Sequence, residues 1–432
     1  MSPWRLYSLE IARNFAQRRG SHGNEFLREH RMRIGMMMKW KIPPPNVRVQ
    51  NEAGTLTAEG HEVHFLIERR RGEPLEETIG GVHVFRGVCM GRPRELWHRY
   101  TFNFTFRDPL WTKTIARFVR DRGIDVLHVN DLPLLKEAVR AGRNFHLPVV
   151  ADLHENYPAG LQVWYTNTLK KMTIYNFDRW SRYERAILAE VDAIIVVIEE
   201  AKDRLVKLGL PADKIHVVPN TVPGETRDAP VDRDVVARYR DRFVVSYIGG
   251  FAPHRGLDTV VRAIPLVRDR VPNLTLVLVG GGNEGYRRRL ERLARELGCA
   301  DIVEMTGWKR QDAIWSYIEA SAVCLVPHAR NPHTDTTIPN KIFQYLMHER
   351  PVIVSDCPPL ARIIAETGGG LVFRYDDPAE LARKIIELYE HEPQRKEMAR
   401  AGRRAVLERF TWEKTSRPLV ELYRRLAGAQ TP

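Results

Sequence analysis

The stretch FVVSYIGGFAPHRGLDTVVRAI, residues 243–264, decides the fold. FVVSYI is apolar on alternate and intervening positions alike, as a strand covered on both faces must be. Gly249 and Gly250 end it, and Leu257, Val260, Val261 and Ile264 then fall at the spacing of a helix that buries one side. The glycines let backbone approach a ligand closely. Arg255 and Gly256 stand at the start of the helix, where N–H groups lack intrahelical partners and the helix dipole favours negative charge. A guanidinium at such a place is, in physical terms, a diphosphate site. The plainer alternative is an ordinary loop with a surface arginine. The coincidence of both glycines and the arginine at the ligand edge of the sheet favours the site.

The same alternation of apolar run and helical segment extends in both directions. Downstream lie LTLVLVGGG (274–282), DIVEMTG (301–307), AVCLVP (322–327), PVIVSD (351–356) and GLVF (370–373). Upstream lie RIGMMM (33–38), HEVHFLI (61–67), GVHVFRG (81–87), DVLHVN (125–130), PVVADLH (148–154), AIIVVI (193–198) and IHVVPNTV (215–222). Two successive βαβ series predict an α/β protein of two Rossmann-like, doubly wound, mostly parallel sheets. Ligands of such sheets bind at the carboxyl ends of the strands, and two in tandem are expected to face each other across a cleft. The boundaries this implies are a basic helical extension over 1–31, an N-terminal domain over 32–222 and a polar linker over 223–242. A C-terminal domain over 243–409 follows, then a helix over 410–432 expected to cross back to the N-terminal domain.

The 432 residues suffice for two domains, and 43% of them are hydrophobic, enough for two sizeable cores. The formal charge of +13 fits anionic partners. Ten Lys and Arg against three Glu in the first fifty residues start that bias at the N-terminus. Cys89, Cys299, Cys324 and Cys357 are far apart and form no CxxC pair, which argues against zinc and a disulfide framework and for a reduced, cytoplasmic setting. No apolar run reaches the ~18 residues of a membrane span, and the N-terminus does not have the pattern of a signal peptide.

Other motifs are weaker. Gly280, Gly282 and Gly285 match the dinucleotide pattern G-x-G-x-x-G, with Glu304 at the distance of a ribose contact. They follow the second strand of their domain rather than the first, which favours a structural turn near a nucleotide over an NAD site. His154 and Glu155 close a strand in the first domain. Asp152 and Glu155 flank the imidazole and could orient it or raise its pKa, making it a polar contact to substrate. HEVH at 61–64 has neither the spacing nor the helix of a zinc protease, and Asp232-Arg233-Asp234 reads as solvated charge. Two clusters mix aromatic and basic residues: Trp97, Arg99, Tyr100, Phe102, Phe104, Phe106, Trp111, Lys113 and Arg117, then residues 164–183. About half of such residues belong in a core. The rest suit a surface that meets anionic lipid, and no RNA-binding signature accompanies them.

Taken in order, GHEVHFL, DVLHVNDLPLL, DLHENYP, VVPNTV, YIGGFAPHRGLDTVVRAI, LVLVGGGN, VEMTGW and PNKIFQYLMHERPVIVSD resemble a retaining glycosyltransferase of family 4, with the GT-B fold, over residues 32–426. The resemblance implies a C-terminal domain that binds a UDP- or GDP-linked sugar and an N-terminal domain that takes a glycan or lipid-linked acceptor. It requires no metal and no cofactor, and suits polysaccharide or glycolipid synthesis at the cytoplasmic face of a membrane, with peripheral contact to anionic lipid and none to nucleic acid. It assigns Arg255 to the donor diphosphate and His154 to the donor sugar or β-phosphate. Gly249, Gly250, Gly280 and Gly282 lie at the donor, Gly307, Trp308, Lys309 and Arg310 beside the nucleobase, and Thr337, Asn340 and Lys341 near phosphate and sugar. Glu155 falls on the acceptor side.

The family pattern carries two glutamates eight positions apart, one for the sugar and one for the ribose. Here Thr336 and Gln344 stand in their places. An amide at 344 forfeits a charge-assisted hydrogen bond, about 1 kcal/mol. Gly250 replaces a second phosphate-binding cation, which leaves Arg255 more alone. Glu349 replaces the glycine that ends the helix, where a left-handed residue other than glycine costs about 1–2 kcal/mol. The first two departures motivate a competing expectation: a degenerate GT-B protein that binds nucleotide or a partner without efficient turnover.

Overall fold

Apolar runs of the first half assemble into one sheet because helices cover both its faces. In the computed structural model, which describes residues 31–41, 47–69, 71–79, 81–88, 101–165 and 167–429, eight strands make this sheet. They are β1 (Arg33–Lys41), β2 (Glu62–Glu68), β3 (Glu76–Ile79), β4 (Val82–Val88), β5 (Val126–Asn130), β6 (Val149–Leu153), β7 (Ala193–Val196) and β8 (Ile215–Val217), in the order β3-β4-β2-β1-β5-β6-β7-β8. All pairings are parallel except β3 with β4. β5 and β6 are buried at every position, which their unbroken apolar runs require. The expected extension falls outside the described residues except for Arg31, as do Cys89, Trp97, Arg99 and Tyr100.

β3 was not legible as a strand. Its sequence, EETI, is half charged, as suits an exposed antiparallel edge. Glu77 pairs with Arg86 of β4 and Glu76 with Arg122, so cations from neighbouring elements hold the strand down.

The second sheet has six parallel strands: β9 (Phe243–Ile248), β10 (Leu274–Val279), β11 (Val303–Gly307), β12 (Val323–Val326), β13 (Val352–Ser355) and β14 (Gly370–Phe373). Their order is β11-β10-β9-β12-β13-β14. The order reverses between β9 and β12, and a doubly wound sheet binds its ligand at the carboxyl ends beside that reversal. The helix Leu257–Arg268 buries Leu257, Val260, Val261, Ile264 and Val267 against this sheet.

Two compact units result. One holds the described residues up to Pro219 together with Ser416–Ala429, the other Asn220–Thr415. Residues 223–242, expected as a linker, carry a 3-10 turn (Gly224–Asp228) and a helix (Arg233–Arg238), and count with the second unit. Asp232 accepts from the Asp234 N–H at 2.9 Å as the cap of that helix. The helix Arg417–Ala429 packs in the first unit on the helix Val47–Ala58 and on β8. Its Arg424 pairs with Glu59 at 2.7 Å. Among the described residues no helix is long and apolar enough to cross a membrane.

Candidate active site

In the second unit the site grows from the turn after β9. Gly249 has φ 146 and Gly280, after β10, has φ 138, conformations that only glycine adopts without strain. The two turns also touch: a Cβ on Gly280 would strike the Gly249 carbonyl, and one on Gly249 would overlap the Lys341 ammonium. Phe251 N–H donates to the Gly281 carbonyl at 2.6 Å, and Asn283 N–H to the Phe251 carbonyl at 3.2 Å, so parallel pairing continues past the strand ends. Gly280 and Gly282 therefore shape the turn after β10, and Gly285 lies in the helix that starts at Glu284. Glu304, the ribose contact of the dinucleotide reading, pairs instead with Arg238 at 2.9 Å.

Arg255 ends a 3-10 turn, Pro253–Arg255, and Gly256 turns left-handed (φ 70) to start the next helix. Only glycine fits there, because a Cβ would run into the Pro327 carbonyl after β12. Arg255 Nη1 lies 3.1 Å from Nε2 of buried His328. Lys341, at the start of the helix Lys341–Met347, places its ammonium 3.8 Å from the centre of the Tyr247 ring. Tyr247 in turn donates to the Gly250 carbonyl at 2.9 Å.

Arg255 and Lys341 have no carboxylate partner among the described residues. Burial, then the positive charge of Arg255, holds the Lys341 pKa well below the ordinary lysine value. The same two causes keep His328 neutral and push His254 down to about 3. Gly250 was expected to leave Arg255 more alone. Lys341, also expected at the site, stands close enough for the Arg255 charge to act on it and comes from the helix after β12.

The remaining donor-side residues surround this pair less tightly. Gly307 is left-handed (φ 72) and its carbonyl accepts from the Gly280 N–H at 3.0 Å. Trp308 is 72% exposed and lies against Gly281. Lys309 reaches over the Tyr317 ring at 5.9 Å. Thr336 lies in the turn Thr334–Thr336 and donates its hydroxyl to the Pro332 carbonyl at 2.7 Å. Thr337 is extended and half-buried. Asn340 precedes the helix without capping it through its side chain, and Gln344 sits half-buried one turn on.

Glu349 keeps the left-handed turn that glycine would make (φ 52). The Arg350 N–H closes the turn on the Tyr345 carbonyl at 3.0 Å, and Arg403 pairs with Glu349 at 2.9 Å.

In the first unit His154 follows β6. It is buried, with Nε2 at 2.7 Å from Asp152 and 3.1 Å from Asn130 Oδ1. Asp131 accepts from the His154 backbone N–H at 3.1 Å and lies 3.9 Å from Nδ1. Burial opposes protonation, but these two carboxylates prevail and raise the His154 pKa to about 9. Glu155, expected to share this task, is half-buried beside it and supplies neither contact. Asp131 supplies the second instead, held at φ 62 where the chain leaves β5. Its place directly after a strand was the only signal in the sequence.

Behind His154 lies a buried charge network. Arg48 Nη2 sits 2.7 Å from Asp152 and 2.8 Å from Glu52, and Nη1 donates to the Val218 carbonyl at 2.7 Å. His128 approaches both carboxylates and binds the Tyr423 hydroxyl at 2.7 Å through Nδ1. Glu52, His128 and Asp152 are close enough to hold a metal ion. The Arg48 guanidinium already stands at both carboxylates, so the cluster fits a structural role better than a metal centre.

Comparison with known proteins agrees with this fold. The Glycosyltransferase Family 4 model matches residues 46–225, and the Glycosyl transferases group 1 model matches residues 242–391. An uncharacterized glycosyltransferase of Methanocaldococcus jannaschii is 22% identical over 401 residues, 90% of this chain and 97% of that one. Phosphatidyl-myo-inositol mannosyltransferase of Mycolicibacterium smegmatis is 21% identical over 405 residues, 92% and 95% of the two chains. Among solved structures, sucrose-phosphate synthase from Thermosynechococcus elongatus superposes with a TM-score of 0.74 at 20% identity, covering 93% of this chain and all of that one. An Anabaena protein solved with UDP and glucose superposes with a TM-score of 0.68 at 14% identity, covering 91% and 99%.

Proposed function

The chain belongs to the family-4, group-1 glycosyltransferases and has the GT-B fold, and on that premise we propose that it is a retaining enzyme using a nucleotide-diphosphate sugar. The sugar, carried by UDP or GDP, goes to the hydroxyl of a glycan or lipid-linked acceptor, in polysaccharide or glycolipid synthesis. One observation carries the reading. Arg255 and Lys341 come together at the reversal of the second sheet without a counterion among the described residues. Two such cations beside glycine turns that admit ligand closely suit a diphosphate.

The reaction breaks the bond between the anomeric carbon and the β-phosphate oxygen, and the electron pair leaves with the diphosphate. The acceptor hydroxyl attacks from the face that the diphosphate leaves, and its proton passes to the departing oxygen. Arg255 and Lys341 stabilise the charge as it develops on the leaving group, which is the main lever such a site has. His154, protonated at neutral pH by Asp152 and Asp131, offers the substrates a cationic donor rather than a base. The M. smegmatis relative, by its name, mannosylates a phosphatidyl-inositol, which supports a lipid-linked acceptor.

A thermal-shift panel of nucleoside diphosphates and nucleotide-sugars tests the assignment. UDP or GDP is expected to stabilise the protein and NAD is not. Stabilisation by NAD alone would overturn it.

A further inference from the structure

A second concentration of positive charge lies in the first unit, away from the network behind His154. A cavity of about 450 Å³ opens between the helices Leu135–Phe145 and Phe177–Leu188, and Arg107, Lys136, Arg140 and Arg143 line it. Arg143 pairs with Glu190 at 2.7 Å. Glu137, also in the lining, is buried and spends its carboxylate on the Asp108 N–H and the Thr112 hydroxyl. Arg107, Lys136 and Arg140 have no acidic partner among the described residues. Three cations around a space of ligand size await an anion.

The rim of this cavity continues, through Tyr183 and Phe106, into segments that expose apolar side chains. Tyr183, in the lining, stacks on Phe106 at 4.1 Å, and Arg179 lies over that ring at 4.3 Å. Arg179 also donates to the Phe104 and Ile174 carbonyls, which ties residues 104 to 107 to the segment 168–179. On this joined surface Phe104 is 62% exposed, Leu169 71% and Met172 70%, with Leu110 exposed nearby. Lys170 and Lys171 sit between the last two on the short helix Thr168–Met172. Of the exposed large apolar side chains among the described residues, about half fall between Phe104 and Phe177. The helices Pro109–Arg122 and Phe177–Leu188 run back toward the starts of β5 and β7. Their first turns therefore lie at the carboxyl edge of the sheet, the edge that carries His154.

We propose that this rim is a docking surface for an anionic phospholipid bilayer, with lipid phosphates held in the cavity of Arg107, Lys136 and Arg140 and with Phe104, Leu169 and Met172 entering the interface. The pairing of cations with protruding apolar side chains is the chemistry such a surface selects. A soluble phosphate needs the cations alone, and a protein partner does not need charge of one sign. The inference rests on the reading of a membrane-proximal acceptor.

Co-sedimentation with phosphatidylcholine vesicles, with and without phosphatidylglycerol, tests it on the full chain. Binding is expected only to the phosphatidylglycerol vesicles and is expected to weaken with salt. Each cation at an anionic surface is worth roughly fivefold in partition. Arg140→Glu, on an exposed helix face, should therefore cut binding by more than about tenfold. The pair Leu169→Ser and Met172→Ser should cut it without changing the salt dependence. Equal binding to both vesicles, no binding, or unchanged binding in either variant overturns the proposal, as does a dimer that forms through this face without lipid. The UDP and GDP thermal shift, measured on the same proteins, separates the two readings. Vesicle binding lost with the nucleotide shift intact refutes the surface alone. Vesicle binding present without any nucleotide shift upholds the surface and refutes the donor site.

Discussion

Nε2 of His154 lies 2.7 Å from Oδ2 of Asp152, and that contact fixes the charge of the imidazole at neutral pH. The folded pKa of about 9 stands above the ordinary value of 6.5, so the pairing stabilises the fold fully below about pH 6.5 and is lost as pH rises through about 9. Transfer is expected to fall along an alkaline limb near pH 9. Asp131→Asn removes one of the two carboxylates and should move the limb toward neutrality. A pH–rate profile and an NMR titration of His154 check both. A wild-type imidazole titrating below pH 7 would refute the reading.

Tyr423→Phe deletes the hydroxyl that His128 Nδ1 meets at 2.7 Å. It leaves a buried ring nitrogen unsatisfied, a cost of about 1–3 kcal/mol. Urea unfolding of the variant should show that loss, and the NMR titration of His154 should shift with it if the network acts as one body.

Arg255→Ala is expected to lower transfer by on the order of 10²–10³ while the protein stays folded, in line with other losses of leaving-group or oxyanion stabilisation. Circular dichroism establishes the fold and a product assay the rate. Near-normal transfer in this variant would remove the donor diphosphate from Arg255.

Lys341 carries a cost in the empty protein. Its folded pKa is depressed, so between that value and the ordinary 10.5 the unfolded chain binds more protons and stability rises with pH. A bound diphosphate raises the folded pKa, so binding should take up a proton and weaken as pH rises. Calorimetry in buffers of different ionisation enthalpy measures the uptake. Lys341→Met should raise the melting temperature of the empty protein by a few degrees, roughly 2–4 °C per kcal/mol, while reducing the shift that UDP or GDP gives.

Gln344→Glu restores a carboxylate one helical turn after Asn340. A charge-assisted bond to a ribose hydroxyl would tighten nucleotide binding about fivefold, the equivalent of about 1 kcal/mol. A gain in binding together with rate identifies a site weakened by its amide and gives weight to the degenerate reading of the parent. Unchanged affinity means that residue 344 does not reach the ribose.

The sequence revealed what is local. β9, Gly249, Gly250 and Arg255 lie within thirteen residues of one another, so strand, turn and cation could be read together. What is assembled from afar was missed. The second carboxylate at His154 was sought in its chain neighbour Glu155, whereas Asp131 comes from the end of another strand. Arg48, which balances Asp152, lies 104 residues away in sequence. β3 carries no apolar run to read, because an exposed edge needs charge more than hydrophobicity. Lys341 is legible as a candidate, but the proximity that makes it the partner of Arg255 depends on the turn of the chain after β12.

The return of the chain at Ser416 also sets an order of assembly. Synthesis delivers the eight strands of the first sheet early, yet Tyr423 comes only after the whole second unit has been made. A ribosome that stops after Thr415 therefore releases a chain with all the described strands and both Arg255 and Lys341, but without the hydroxyl that meets His128. The network behind His154 is closed by a residue that emerges only after the second unit. Closure of the electrostatics behind His154 thus waits on synthesis of the whole second unit.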